Sequence, residues 1–242
     1  MHRPPRLKSV RAFIIAWLSL VGLFSTALGA PVQLDPAFTV GSGANNTVQA
    51  LAEEADGTLW IGGSFSTLNG ALQYGVAKLN SAGNVDPSFA PSFNAGGVNC
   101  IIPLGEGKIL IGCQSVGTGD SYRQGIARLH ANGSVDTSFN AGTATDGTVR
   151  SIRLLPDGKI LVGGTFTKGI ARLETNGAPD PTFTPGTGIS GTVWAIRVLP
   201  SGQLMLGGSF SSFDGVRPST QSVRHDRRLG LSVHGIRPYR SH

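Results

Sequence analysis

The chain has 242 residues, of which 35 are glycine, and only 14% are charged, against typical shares of ~7% glycine and ~25% charged residues. That balance excludes a charge-rich disordered chain and a coiled coil; with 40% hydrophobic residues, the length suits one large all-β domain or two small ones. The formal net charge of +6 is carried by the ends: residues 31–216 hold ten basic and thirteen acidic side chains, a net of −3, so no nucleic-acid groove is expected there.

Met1 to Arg11 is basic, Ala12 to Phe24 is uncharged and largely apolar, and Ser25 to Ala30 supplies small residues, the order of a cleaved secretory signal. The expectation is a signal peptide over 1–29 and a secreted or periplasmic protein. The competing reading is a retained anchor, since nineteen uncharged residues run from Ala12 to Ala30 and a spanning helix needs ~20. Membrane contact is expected only in that case.

From there the chain repeats. NTVQALAEEADGTLWIGGSF from Asn46, GGVNCIIPLGEGKILIGCQS from Gly96, GTVRSIRLLPDGKILVGGTF from Gly147 and GTVWAIRVLPSGQLMLGGSF from Gly191 align without a gap at spacings of 50, 51 and 44. VAKLNSAGNVDPSF from Val76, IARLHANGSVDTSF from Ile126 and IARLETNGAPDPTF from Ile170 align in turn, and LDPAF at Leu34 matches their tail. The recurring D-x-x-F pairs are Asp35/Phe38, Asp86/Phe89, Asp136/Phe139 and Asp180/Phe183.

Each unit holds two apolar β-rich runs around Asp56-Gly57, Glu106-Gly107, Asp157-Gly158 or Ser201-Gly202, which predicts a hairpin with a two-residue turn. VAKL or IARL predicts a third strand, and the D-x-x-F stretch a fourth. Under that register, Leu155 opposes Ile160 and Leu154 opposes Leu161, so both faces are apolar, as in a sheet covered on both sides. Four short strands in about 50 residues is one propeller blade. The fold class expected is therefore an all-β propeller of four blade-like units, near 34–85, 86–135, 136–179 and 180–216, within a repeat region over 30–216.

At these residues the chain resembles the bacterial delta-60 repeat, a β-propeller repeat of the pattern DGKILVGG-F followed by IARL-x-x-NG-x-x-D-x-x-F. The resemblance covers about residues 34–215 and implies a propeller in an exported protein of bacterial type, with no activity attached.

The fourth unit departs from the pattern: Gln221-Ser222-Val223-Arg224 stands where a third strand is due. Residues 217–242 hold 6 Arg and 3 His, against 6 Arg and 1 His in residues 31–216. The change reads as a slipped reading frame near Arg217, or else as a natural basic tail, which would be solvated and disordered. Without the missing strand, the expectation is a strained ring or an open arc whose edges invite self-association.

Under a two-residue turn, Cys100 and Cys113 are directly opposed, where the other repeats carry Ala50/Gly63, Ser151/Gly164 and Ala195/Gly208. A cross-strand disulfide formed after export is expected, against two buried free thiols. His130, the one histidine of the repeat body, occupies a variable turn edge; Asp35, Asp86, Asp136 and Asp180 read as turn caps, and the matching phenylalanines as packing between blades. Lys78, Arg128 and Arg172 read as stems covering apolar surface with their charges in water. Trp60 and Trp194 read as core. No catalytic, cofactor-binding or metal-binding residue is singled out. The expected function is a non-catalytic binding or scaffold module for an extracellular protein or carbohydrate. The alternatives are an extracellular propeller hydrolase or lyase, and a truncated fragment without a function of its own.

Overall fold

The computed structural model describes residue 38, residues 41–93 and 95–216, and two short strands at 224–226 and 231–233. The expected signal peptide, Asp35 and the remainder of the basic tail lie outside the described residues. No helix among the described residues is long and apolar enough to cross a membrane.

Strands β1 (Val48–Glu53) and β2 (Leu59–Gly63) form a hairpin. The two-residue strands β3 (Thr67–Leu68) and β4 (Ala71–Leu72) pair in the loop that follows, and β5 (Val76–Leu79) returns to β2, giving a first blade of order β1-β2-β5. β6 (Cys100–Gly105), β7 (Lys108–Val116) and β8 (Arg123–Leu129) form the second blade, and β9 (Thr148–Leu154), β10 (Ile160–Thr165) and β11 (Ile170–Leu173) the third. The fourth is the hairpin of β12 (Ile189–Val198) and β13 (Leu204–Phe213), a two-stranded sheet. In the segment that has lost the repeat, β14 (Arg224–Asp226) pairs with β15 (Leu231–Val233), which lies beside β13.

Two expectations are corrected here. The fourth strand of blades one, two and three shrinks to one bridge, Leu79 to Val85, Leu129 to Val135 and Leu173 to Pro179, because the aspartate that follows turns the chain instead of extending it. The hairpin register is also shifted by one residue. In blades one, three and four the loop has three residues: the Gly57 amide donates to the Glu54 carbonyl and the Glu54 amide to the Thr58 carbonyl, with Gly57 at φ +83°. Gly158 and Gly202 repeat this geometry. The sequence signal for it is Pro156 and Pro200 at the first loop position, where a type I turn wants the proline φ and a type I′ turn forbids it. Blade two does carry the two-residue turn, with Glu106 at φ +52° and Gly107 at φ +70°, but a bulge at Leu104 restores the common register.

That shift separates the cysteines. Cys100 pairs with Gly112 rather than Cys113, and both thiols are free. Cys113 packs into the core shared with blade one, while Cys100 packs against the core shared with blade three. Burial pushes both thiols up to about 12, which keeps them protonated and inert. A thiol reagent without reductant should therefore label neither cysteine in the native chain and both in denaturant; a denatured chain that stays unlabelled would carry the bridge after all.

The blades stack by alternation along the middle strands. Ile109, Ile111 and Cys113 of β7 face blade one, and Leu110 between them faces blade three. Ile160 and Val162 of β10 likewise face blade two, and Leu161 faces blade four. The two-sided apolar pattern is thus used as expected of a sheet wedged between neighbours. Neighbouring blades also meet through their first strands, β1 with β6, β6 with β9 and β9 with β12.

Candidate functional site

Each of the three D-x-x-F turns among the described residues is a compact electrostatic unit. Asp136 accepts hydrogen bonds from the Ser138 amide at 2.9 Å and its hydroxyl at 2.6 Å, while its other oxygen takes Arg128 Nε at 2.7 Å. Asp86 binds Ser88 and Lys78 in the same way, and Asp180 binds Thr182, Arg172 and Lys159. The cation of the third strand then caps the phenylalanine: the Arg128 guanidinium lies 5.1 Å from the Phe139 ring centre, and Arg172 lies 5.1 Å from that of Phe183. Phe89 meets Trp60 edge to face at 5.0 Å. Phe38 is half-buried.

The Lys78 ammonium and Ser88 hold the Asp86 carboxyl down to about 2. Burial would raise Asp136, but Ser138 and Arg128 outweigh it and hold the carboxyl at about 2. The strand cations are therefore ion-pair partners, not solvated stems. Their recurrence eleven residues before each of these phenylalanines was the signal that sequence reasoning passed over.

His130 sits at the turn after β8, its amide donating to the Ser134 carbonyl and its Nε2 lying 3.9 Å from one Asp136 oxygen. One carboxylate, already committed to Arg128, is the acid it meets.

A second constellation lies at the opposite end of the strands, where β1, β6, β9 and β12 begin. In blades one, three and four the first strand bulges: Val48 pairs with Gly63 and Ala50 with Gly62, so Gln49 is extra, and Arg150 and Trp194 are extra in the same way. Bulges re-aim a side chain out of the pleat. Asn99 occupies the equivalent place in blade two, its amide reaching across to the Val149 carbonyl at 3.1 Å. Gln49 meets the Ser64 hydroxyl, Arg150 Nε the Thr165 hydroxyl and Trp194 Nε1 the Ser209 hydroxyl. The strands around these four positions keep V-x-[ACS]-[IL], while the re-aimed residue changes in every blade.

Trp194 departs from its expected core role: it stays 52% exposed, with the Arg150 guanidinium 4.2 Å from its ring centre. The terminal nitrogens of Arg150 have no partner among the described residues. Arg153 and Arg197 lie further along the same two strands, which carry no acid. This end also holds the connections from second to third strand, which range from the β3–β4 hairpin to the short turn at Thr167 to Gly169.

A family described as a domain of unknown function, DUF5122 beta-propeller, matches residues 54–89, 106–139 and 155–183. A two component regulator propeller family matches residues 42–65. No curated protein matches the chain. Among solved structures, the WD40 beta propeller domain of Doa1 is 16% identical with a TM-score of 0.48, over 68% of this chain and 49% of that one. Virginiamycin B lyase from Staphylococcus aureus is 16% identical with a TM-score of 0.40, over 68% and 50%. The extracellular domain of the putative one component system BT4673 from B. thetaiotaomicron is 14% identical with a TM-score of 0.38, over 75% and 28%. The chain thus spans half or less of each of these structures. The three DUF5122 segments each run from the hairpin turn to the D-x-x-F phenylalanine of one blade, and the chain is a β-propeller repeat protein.

Proposed function

We propose that this protein is an exported, non-catalytic binding module whose ligand is a carboxylate-bearing glycan, held where Arg150 and Trp194 meet. The supporting observation is the exposed Trp194 side chain with a guanidinium stacked on it. An indole face takes a sugar ring by apolar contact, and a guanidinium with unengaged terminal nitrogens takes a carboxylate through two parallel hydrogen bonds. The Thr165 and Ser209 hydroxyls beside them suit sugar hydroxyls. Export rests on the basic, then apolar, then small-residue order of residues 1–30, and it would place the site among extracellular polysaccharides.

Affinity electrophoresis in gels containing polygalacturonate, alginate or dextran tests the reading. The acidic polymers should retard the chain and dextran should not. Trp194→Ala should weaken retention about tenfold, equivalent to ~1.4 kcal/mol, and Arg150→Gln should do so in acidic gels alone. Equal mobility in all three gels, or retention that both variants keep, would remove the glycan reading. Shortening of the polymer over time would replace binding with catalysis.

A further inference from the structure

Three times in this chain one blade seats on the next through the same joint. A β-carbon placed on Gly62 would stand 2.6 Å from Val98 Cγ1 and 2.8 Å from Ile101 Cδ1. One placed on Gly163 would stand 2.7 Å from Val193 Cγ1 and 2.9 Å from Ile196 Cδ1, and one on Gly112 would stand 2.8 Å from Val149 Cγ1. The glycine of each second strand is a shelf, and the valine of the next blade's first strand, joined at Gly62 and Gly163 by the isoleucine, is the ridge that fills it. Val98, Val149, Val193, Ile101, Ile152 and Ile196 are accordingly all buried. At the joint of blades three and four a hydrogen bond accompanies the contact: the Ile196 amide donates to Ser151 Oγ at 3.2 Å.

Among the described residues, the two ends of the row carry the two halves of this joint unfilled. On blade one the ridge is Val48 and Leu51, 41% and 75% exposed, and Leu59 and Ile61 beside them are only half-buried. On blade four the shelf is Gly207, where an added β-carbon would meet nothing nearer than Ala195 Cβ at 3.9 Å among the described residues. Ala195 itself is exposed, whereas Ala50 and Ser151 at the same position are buried.

We propose that a second copy of this chain fills the joint, its Val48–Leu51 ridge on the Gly207 shelf of the first, and that two copies joined head to tail twice close one ring of eight blades. The occupant is identified by the chain's own three internal joints, which show what such a shelf receives. Head-to-tail contacts form rings where the rotation closes, and eight blades lie within the range of closed propellers. The two-fold axis makes both joints identical.

The test is the mass of the full chain in solution, by light scattering after size exclusion and by native mass spectrometry. The wild-type chain should run at twice the chain mass. Leu51→Asp spoils the ridge at a site already in solvent, and Gly207→Val spoils the shelf; each alone should give monomers with unchanged circular dichroism. Mixed together, Leu51→Asp still offers a shelf and Gly207→Val still offers a ridge, so the mixture should regain pairs joined once. A wild-type monomer, a mass that neither substitution changes, or a mixture that stays monomeric would overturn the proposal. Open-ended wild-type polymers dispersed by either substitution would support the joint and overturn the two-copy ring.

Discussion

Replacing Gly164 with alanine should cost the protein more than ~3 kcal/mol, at the upper end of what overpacking a tight site costs, and lower its Tm by roughly 10 °C. The new β-carbon would collide with the Thr148 carbonyl oxygen and stand 2.9 Å from Val149 Cα. These are backbone atoms of the bulged strand that carries Arg150, so they cannot yield as a side-chain end could. Gly63 and Gly208 face the Thr47 and Thr192 carbonyls in the same way. Blade two takes Cys113 at this position because its chain is routed differently: Gly96-Gly97 precedes Val98, Gly97 lies at φ +72°, and the Asn99 amide donates to the Gly112 carbonyl. Urea unfolding of Gly164→Ala beside Gly96→Ala, where an added β-carbon meets nothing nearer than 3.4 Å, checks the claim. The second variant should be near neutral, and equal midpoints for both would refute it.

The second large effect concerns Asp180. Its side chain is fully buried and holds Lys159 at 2.8 Å and Arg172 at 2.6 Å, each of those about a quarter exposed, while taking the Thr182 amide and hydroxyl as well. Removing one partner of a buried pair costs ~3–5 kcal/mol because the remaining charge is stranded. Partial hydration of the two cations here lowers that to about 3 kcal/mol for Asp180→Ala, with Tm down by roughly 10 °C. Asp180→Asn should recover part of the loss by keeping the bond from the Thr182 amide.

The same carboxylates set the acid limit of the fold. Burial alone would raise Asp180, but Lys159, Thr182 and Arg172 together hold it far below the usual carboxylate range; Asp86 and Asp136 stand at about 2. A carboxyl whose pKa is lower folded than unfolded contributes stability that is complete above its unfolded value and is lost as pH falls toward its folded value. Stability should therefore be flat from neutral pH down to about 5 and fall steeply between about 4 and 2. In Asp180→Ala that acid slope should be shallower. A wild-type midpoint that does not move across the interval would contradict the arrangement.

How much of this was legible beforehand differs from residue to residue. The repeat, the all-β class and the two-sided burial of the middle strands could be read directly, because gapless copies and alternating apolar runs depend only on local spacing. The turn length could not be read from Asp-Gly alone. Pro156 and Pro200 carried the information, and a dipeptide rule outweighed them. In blade two the two-residue turn is present as read, and the bulge at Leu104 moved Cys100 from Cys113 to Gly112, since every pairing beyond a bulge inherits its shift. Trp194 was misjudged for another reason: whether a residue faces a core depends on the bulge at its own position and on the presence of a further blade, and neither lies within its sequence window.

By itself the sequence determined that this chain builds blades and how many begin, since both are properties of short contiguous segments. Only the tertiary structure decided that Lys78, Arg128 and Arg172 are tied to the D-x-x-F aspartates, that Arg150 stacks on Trp194, and that the first ridge and the last shelf are left unfilled among the described residues. These contacts join residues of different strands or blades. They exist only once the sheets have stacked, because the distance between two strands is set by packing and not by the number of residues between them.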